Sequence, residues 1–200
     1  FWGVDAGGYS GFADEETYLR WTEFATFSPI MRFHGVTPRE PWAYSRYAVS
    51  VYKFYAWLRE NLLKYSVHTA EEAHKPGIPM MRPLPMVFPE DKEAVYWEDE
   101  YFYGSDLLVA PVHQEGEKRR IYFPSGSWIN LLDFRKMVGG NRIFQVDVPI
   151  DKIPVYIREG ACILSVMNGE LQLGQSMTYE KKNTVLMSRA LNETSGKRYA

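Results

Sequence analysis

Cysteine is almost absent from this sequence, since its 200 residues include one, Cys162. A single thiol cannot form an internal disulfide, so the cysteine content does not indicate an oxidising compartment, and a cytoplasmic location is favoured. Cys162 stands between Ala161 and Ile163. This apolar setting predicts a buried thiol in a strand and not a nucleophile.

Long apolar runs and an excess of one charge are also missing. No apolar stretch approaches the length of about 18 residues that a membrane helix needs, and there is no signal peptide. The 23 basic and 25 acidic residues leave a net charge of −2, so neither a membrane nor nucleic acid is expected as a partner. The chain starts without methionine at a predicted strand, and we therefore expect it to continue upstream.

Several signatures of catalysis and of cofactor binding are missing. The sequence has no phosphate-binding glycine loop, no dinucleotide fingerprint and no Ser/His/Asp or Cys/His arrangement. His68 and His74 are six residues apart in a predicted loop without a cysteine partner, which is poor spacing for a metal site. The sequence predicts neither a cofactor nor a metal.

The most informative stretch is residues 1–42, which predict a strand, a helix and a second strand. Apolar runs at 1–5 and 27–33 each end in a polar residue and a glycine. Between them, residues 11–26 have helical spacing, with Asp14 as a predicted N-cap. A second, long helix is predicted over residues 42–65 from its apolar residues at helical spacing.

The alternation within the two strands points to a site. Asp5 shares a face with Phe1 and Gly3, and His34 shares a face with Ile30 and Arg32. Asp5 and His34 are therefore the last inward residues of their strands, at the carboxyl ends where ligands bind in parallel α/β folds.

The glycines after Asp5 suit a tight turn or a close backbone approach, and Tyr9 falls at the rim of the same site. Plain structural roles compete with this interpretation. Asp5 could cap the amides of Gly7 and Gly8, and His34 could be satisfied inside a core. We assign Trp2 and Trp42 to the core.

Repeated strand and helix units are typical of a (β/α)8 barrel, which needs eight units and about 250 residues. Two units are present, at 1–65. From about residue 66 helical periodicity is expected to end, and proline-punctuated short apolar segments predict an antiparallel β-sandwich over 66–165. Its clearest strands are 107–112, 120–123, 142–148 and 155–157. Residues 166–200, including 179–183 and 192–197, are interpreted as the start of a distal β-domain or a loose tail.

Two motifs near the N-terminus resemble those of glycoside hydrolase family 31, the α-glucosidases and α-xylosidases. Asp5-Ala6-Gly7-Gly8-Tyr9 is similar to its Asp-x-Gly-Gly-aromatic motif, and Arg32-Phe33-His34-Gly35 to its Arg-x-His-Gly motif. Segments 82–84, 103–112 and 153–161 follow in the family's order, so the resemblance covers about residues 1–165.

The resemblance implies roles for residues at the site. His34 matches a histidine that hydrogen-bonds sugar hydroxyls, and Asp5 an aspartate that borders the sugar pocket. Tyr9 matches an aromatic residue, often phenylalanine, that lines the leaving-group subsite. Arg32 is expected to pair with a carboxylate from an earlier strand and to act structurally.

The resemblance also implies that no catalytic residue lies in this chain. The family's nucleophile and acid/base aspartates stand in Asp-x-Asn-Glu and Gly-Asp type motifs on earlier barrel strands, and neither motif matches here.

The sequence thus predicts the last two β/α units of a barrel and an adjoining sandwich, from a retaining α-glycoside hydrolase. Its expected ligand is an α-linked oligosaccharide or glycoside. The open strand edges predict contact with the rest of the parent chain or self-association. The alternatives are a non-catalytic carbohydrate-binding or structural β-domain, and a family member with another activity, such as a transglycosidase.

Overall fold

The computed structural model describes residues 1–168, 170, 172–177 and 183–187. Its strands are Gly3–Asp5 (β1), Ile30–Arg32 (β2), Met81–Pro83 (β3), Tyr101–Tyr103 (β4), Leu107–Val109 (β5), Lys118–Phe123 (β6), Ser127–Asn130 (β7), Lys136–Val138 (β8), Arg142–Asp147 (β9), Val155–Arg158 (β10), Ile163–Met167 (β11) and Asn183–Met187 (β12). Its helices are Glu15–Thr26 (α1), Arg46–Asn61 (α2), Leu63–His74 (α3) and Leu84–Val87 (α4), with 3₁₀ turns at Pro41–Ala43 and Ala94–Tyr96.

The N-terminal part is a parallel β-α-β unit followed by helices. β1 and β2 pair in parallel, with Asp5 opposite Arg32. α1 begins as its sequence predicts, because the Asp14 carboxylate accepts a hydrogen bond from the Thr17 amide at 2.7 Å. Two glutamates in the first turn add favourable interactions with the helix dipole.

The single helix predicted over residues 42–65 is wrong in its bounds. Trp42 lies in the 3₁₀ turn before α2, and Leu62 (φ −90°, ψ 6°) leaves the helical region and separates α2 from α3. α3 then continues to His74, so helical structure does not end near residue 66. The prediction misses the break because the apolar residues keep their helical spacing across Leu62 and no capping side chain, proline or glycine stands there.

The C-terminal part is antiparallel. Its main sheet has six strands in the order β3-β4-β5-β10-β7-β8, while β6 pairs with β9 and β11 with β12. The four strongest predicted strands correspond to β5, β6, β9 and β10, within one to three residues at their ends. The predicted turns contain Gly126, Gly140 and Gly160, which all adopt positive φ.

The central strand β5 of the six-stranded sheet is buried on both faces. Leu107 and Val109 pack with the helices, in a cluster that also holds Tyr18 and Tyr55. Leu108 points to the opposite face and packs with residues of β6 and β9. The fold is therefore a mixed one, in which a helical layer and a second antiparallel layer cover the central sheet.

Three predictions about single residues are wrong. Cys162 lies just before β11 and is exposed. Its neighbour Ile163 is fully buried, and adjacent residues of an extended chain point to opposite sides. Trp2 and Trp42 are 51% and 74% exposed, so neither belongs to the core.

The predicted features at 179–182 and 192–197 lie outside the described residues, and the proposed domain bounds at 65 and 165 stay predictions. Within the part of the chain that the structure describes, no helix is both long and apolar enough to cross a membrane.

Candidate functional site

The carboxyl ends of β1 and β2 lie side by side and carry all the predicted site residues. The Ala6 amide donates to the Arg32 carbonyl at 2.9 Å, and beyond the strands the Val36 amide donates to the Tyr9 carbonyl at 2.9 Å. These bonds extend the pairing of the two segments past their last strand residues. The two loops that follow the strands therefore form one continuous surface.

The predicted alternation along both strands is confirmed. Val4 is buried and packs with Ala25, and Met31 and Phe33 pack against the same cluster. Arg32 and His34, on the other face, are exposed. The strand face that points away from the helices is thus the one that carries the candidate polar groups.

Asp5 forms an ion pair with Arg32 across the two strands. The Arg32 Nε donates to Asp5 Oδ1, and Nη2 donates to Oδ2 at 3.2 Å. The Asp5 side chain is 20% exposed and the Arg32 side chain 61%. The expected carboxylate partner of Arg32 is therefore Asp5 itself. An ionised carboxylate has about four acceptor positions, so two donors leave Asp5 able to accept from a ligand.

Tyr9 and His34 lie against each other at the end of this face. Their ring centroids are 5.5 Å apart with the planes tilted by 46°, and Tyr9 is 53% exposed. A neutral imidazole has one donor and one acceptor, which suits a hydroxyl group that does both. A ligand at this position could therefore contact the polar edge of the His34 ring and the apolar face of the Tyr9 ring.

The Gly7–Gly8 turn needs its glycines for backbone reasons. Gly7 and Gly8 have φ of 84° and 79°, in the left-handed region that costs other residues about 1–2 kcal/mol. The Gly8 amide donates to the Asp5 carbonyl at 2.8 Å, which closes the turn. Asp5 therefore contributes its backbone oxygen to the turn and its carboxylate to Arg32.

Arg39 is a part of this site, although no sequence pattern indicates it. It is 3% exposed and donates to the carbonyls of Gly8 and Gly11 at 2.9 and 2.7 Å. A buried arginine is unusual without a carboxylate partner. The sequence shows only Arg39 and Glu40 between two prolines. Backbone carbonyls as the acceptors of an arginine cannot be recognised from residue types.

Two other carboxyl groups are buried, but they lie away from this surface. Burial raises the pKa of Glu23, against the opposing effect of Arg20, and it raises the pKa of Glu100 to about 8. Glu23 contacts Arg20 at 3.3 Å, and Glu100 accepts from the Tyr122 amide at 2.9 Å. Glu23 belongs to a structural network between α1 and the segment at 148–152. Glu100, just before β4, belongs to another with β6. Shifted pKa values also occur in such buried ion pairs.

A cavity of about 900 Å³ lies between α1 and the segment at 98–101. Its lining includes Trp21, Glu100 and Tyr101, but not Asp5, Tyr9 or His34. The predicted site is therefore an open strand-end surface and not this cavity. Among the described residues, no group of three or more His, Cys, Asp or Glu side chains could hold a metal ion.

Two family models match the chain in sequence order. The model of the glycosyl hydrolases family 31 TIM-barrel domain matches residues 1–69, and that of the glycosyl hydrolase family 31 C-terminal domain matches residues 77–163. The first match includes the whole candidate site. The second begins shortly after α3 and ends at the first residue of β11.

Curated relatives and solved structures agree with these matches. An alpha-xylosidase of Saccharolobus solfataricus is 34% identical over 171 residues, which are 82% of this chain and 23% of the relative. Alpha-glucosidase 2 of Bacillus thermoamyloliquefaciens is 31% identical over 167 residues, with 82% and 21% covered.

Among solved structures, the cycloalternan-forming enzyme from Listeria monocytogenes, in complex with a pentasaccharide substrate, superposes with a TM-score of 0.87 at 32% identity. The superposition covers 92% of this chain and 19% of that enzyme. The chain spans about a fifth of the length of the curated relatives it matches. It belongs to glycosyl hydrolase family 31.

Proposed function

We propose that the chain is part of a retaining α-glycoside hydrolase that acts on α-glucosides or α-xylosides. In this proposal residues 1–65 are the last two β/α units of a (β/α)8 barrel, and 66–165 are the adjoining β-sandwich. The match of the TIM-barrel model to residues 1–69 and the parallel pairing of β1 with β2 support this division. The names of two relatives, an alpha-glucosidase and an alpha-xylosidase, support the substrate class.

Asp5, His34 and Tyr9 are the proposed sugar-binding residues. The observation that carries this proposal is the contact between the Tyr9 and His34 rings on the exposed strand-end face, beside the Asp5–Arg32 ion pair. His34 exchanges hydrogen bonds with a sugar hydroxyl, and the remaining acceptor positions of Asp5 take a second hydroxyl. Tyr9 packs on the apolar face of the ring at the leaving-group side.

The chain binds sugar in this proposal but does not break the bond. A retaining glycosidase needs a nucleophile and an acid/base carboxyl about 5–5.5 Å apart on either side of the scissile bond. Asp5 is held by Arg32 at the end of β1, and the sequence contains neither of the two aspartate motifs of the family. Both carboxyl groups therefore come from barrel strands that precede β1.

The test compares the complete polypeptide that contains this chain with the 200-residue chain alone. With aryl α-glucoside and aryl α-xyloside, the complete polypeptide is expected to release sugar with retained anomeric configuration, followed by NMR. The chain alone is expected to be inactive, because general acid catalysis typically contributes about 10²–10⁴-fold and the nucleophile is missing as well. Turnover by the chain alone that survives Asp5→Asn would overturn the proposed division of labour.

The role of His34 is tested in the complete polypeptide. His34→Ala removes one donor and one acceptor to the sugar, and a lost hydrogen bond of about 0.5–1.5 kcal/mol lowers kcat/KM about threefold to tenfold. His68→Ala is the matched control, because His68 is exposed on α3 and its near partner is Glu72 at 3.5 Å. Equal effects of the two substitutions would remove His34 from the sugar site.

A further inference from the structure

We infer that Arg39 is the positioning residue that fixes Tyr9 for leaving-group recognition. The inference rests on the proposed function, since it concerns the same site, and it adds a residue that does not touch the sugar. The Arg39 guanidinium lies beneath the loop that carries Tyr9 and is 3% exposed. It acts on the substrate through the backbone on either side of the Tyr9 ring.

The hydrogen bonds of Arg39 enclose the Tyr9 loop. Nε donates to the Gly8 carbonyl at 2.9 Å and Nη2 to the Gly11 carbonyl at 2.7 Å, so both flanks of Tyr9 are held by one side chain. Nη1 donates to the Pro38 carbonyl at 3.1 Å and to the Thr37 hydroxyl. Thr37 in turn donates to the Gly11 carbonyl at 2.8 Å. The loop after β1 is thereby tied to the segment after β2.

Two motif glycines make room for this side chain. A Cβ at Gly7 would lie 3.0 Å from Arg39 Cδ, and a Cβ at Gly35 would lie 3.2 Å from Arg39 Nε. The Gly35 Cβ would also approach the Tyr9 carbonyl oxygen to 2.7 Å, closer than normal van der Waals contact. Gly7 and Gly35 therefore allow the two loops to close on the guanidinium, and the three residues work as one packing unit.

The geometry requires arginine in particular. Its planar guanidinium directs five N–H donors in a fixed fork, whereas a lysine ammonium is a single point donor. One ammonium cannot reach the Gly8 and Gly11 carbonyls in the directions that Nε and Nη2 take. Without the guanidinium the Gly8 carbonyl loses its side-chain donor and the Gly11 carbonyl keeps only the Thr37 hydroxyl. The 53% exposed Tyr9 ring then loses its fixed orientation beside His34.

The experiment uses the complete polypeptide and two substrates that differ in their leaving group. Maltose places a sugar ring in the leaving-group subsite, whereas α-glucosyl fluoride leaves that subsite empty. Tyr9→Ala is expected to lower kcat/KM for maltose about tenfold, the value of one apolar contact, with less than about a twofold change for the fluoride. Arg39→Ala is expected to reproduce this selective loss, although Arg39 is buried.

The double variant Tyr9→Ala/Arg39→Ala decides whether the two residues act together. If Arg39 acts through Tyr9, the double variant is no slower on maltose than the slower single variant. Multiplying losses, or equal losses on both substrates, would overturn the inference. Added guanidinium at millimolar concentration is expected to restore part of the maltose activity of Arg39→Ala, and no part of that of Tyr9→Ala.

Arg59→Ala is the matched control, because Arg59 also donates to several loop carbonyls but holds the start of β2 rather than its end. It is expected to lower stability without changing the ratio of the two substrates. Arg39→Lys keeps the buried charge and gives the same selective loss, so the test stands if Arg39→Ala does not fold. A wild-type polypeptide that is inactive on both aryl α-glucoside and aryl α-xyloside would refute the proposed function, whereas an active one with unchanged Arg39 variants would refute this inference alone.

Discussion

At the scale of single residues, buried and partly buried arginines organise the loops of this molecule. Arg20, Arg39 and Arg59 each donate to at least two backbone carbonyls that are distant in sequence from the arginine. A guanidinium remains charged at any pH that proteins encounter, and its several donors satisfy carbonyls that a loop leaves unpaired. All three arginines thus satisfy backbone carbonyls of loops, each in a different part of the fold. Of the three, Arg39 is the one at the candidate site.

The pKa of Glu100 makes stability dependent on pH. Burial raises the pKa of this carboxyl to about 8, compared with about 4.3 in an unfolded chain. Between these values the folded state binds more protons than the unfolded state, so the free energy of unfolding falls as pH rises. The slope that one such group causes is at most about 1.4 kcal/mol per pH unit. Glu100→Gln, which has the same shape and does not titrate, is expected to reduce this slope.

The measurement is urea unfolding of the chain at pH values from about 5 to about 9. Glu98→Gln serves as the control, because Glu98 is two residues away and exposed. The expected result is that Glu100→Gln gains stability relative to wild type as pH rises, while Glu98→Gln follows wild type. Parallel curves for all three proteins would show that Glu100 is not protonated in the fold.

The sequence predicts some residues of the site better than others. The positions of Asp5, Tyr9 and His34 at the strand ends follow from alternation and from two glycines, which are local features. The partner of Asp5 and the role of Arg39 depend on a neighbouring strand or loop, and a single sequence contains no information on which groups meet there. The prediction for Cys162 is wrong for a related reason, since the direction of its side chain depends on where β11 begins.

At the scale of elements, helix beginnings are more predictable than helix breaks. The start of α1 is set by Asp14 and two glutamates, all within four residues of the helix N-terminus. The break at Leu62 follows no capping residue or glycine, and the apolar spacing continues across it. The strands of the antiparallel part were found because prolines and glycines separate them, whereas their order in the sheet depends on contacts distant in sequence.

Arg59 links α2 to the end of α1, and its removal is predicted to lower stability. Arg59 of α2 donates to the Thr26, Ser28 and Pro29 carbonyls at 2.7–2.9 Å, at the last residue of α1 and just beyond it. Arg59→Met leaves these carbonyls without their donor, and is expected to lower the free energy of unfolding by about 1.5–3 kcal/mol, as for one hydrogen-bonded charged group. Urea unfolding measures the loss.

Arg46→Met is the matched control for this element, because Arg46 is an exposed arginine in the first turn of the same helix. Its expected effect is within about 0.5 kcal/mol, as for most surface substitutions. If the two variants lost the same stability, the Arg59 bonds would add nothing beyond a surface arginine.

At the scale of the whole molecule, the parts matched by two family models share one core. Tyr18, Leu58 and Tyr65 from the helices pack in the same cluster as Val109 and Val155 from the six-stranded sheet. The sequence predicts two successive parts, with the sandwich packed against the barrel units, but it does not predict which residues form this common core, since those side chains are far apart in the chain. The helical part therefore depends on the sheet for much of its burial.

Arg20 is the main polar connection between these parts. Its guanidinium donates from α1 to the Val148, Pro149 and Lys152 carbonyls in the segment between β9 and β10 at 2.9–3.1 Å, and to Glu23 at 3.3 Å. Two interactions of Arg20 contribute to the stability of this connection: the ion pair with Glu23 and the hydrogen bonds to the backbone carbonyls. Because burial already favours protonated Glu23, the ion pair contributes less, and the carbonyl bonds carry most of the stability.

Substitution of the two partners separates these contributions. Arg20→Met leaves the Val148, Pro149 and Lys152 carbonyls without their charged donor, at about 1–3 kcal/mol for each unsatisfied group, so it is expected to cost at least about 3 kcal/mol. Glu23→Gln is expected to cost less than about 1 kcal/mol, because the neutral form is already favoured and its amide oxygen can still accept from Arg20. The double variant is then expected to resemble Arg20→Met alone, since most of the loss does not involve Glu23.

The readout for these variants is urea unfolding, followed in parallel by far-UV circular dichroism and tryptophan fluorescence. Wild type and Glu23→Gln are expected to unfold in one transition with coincident signals, as a shared core requires. In Arg20→Met the two signals are expected to separate, because α1 no longer holds the segment after β9 and the helical part can unfold first. A cost for Glu23→Gln equal to that of Arg20→Met would instead mean that the ion pair, and not the carbonyl bonds, joins the two parts.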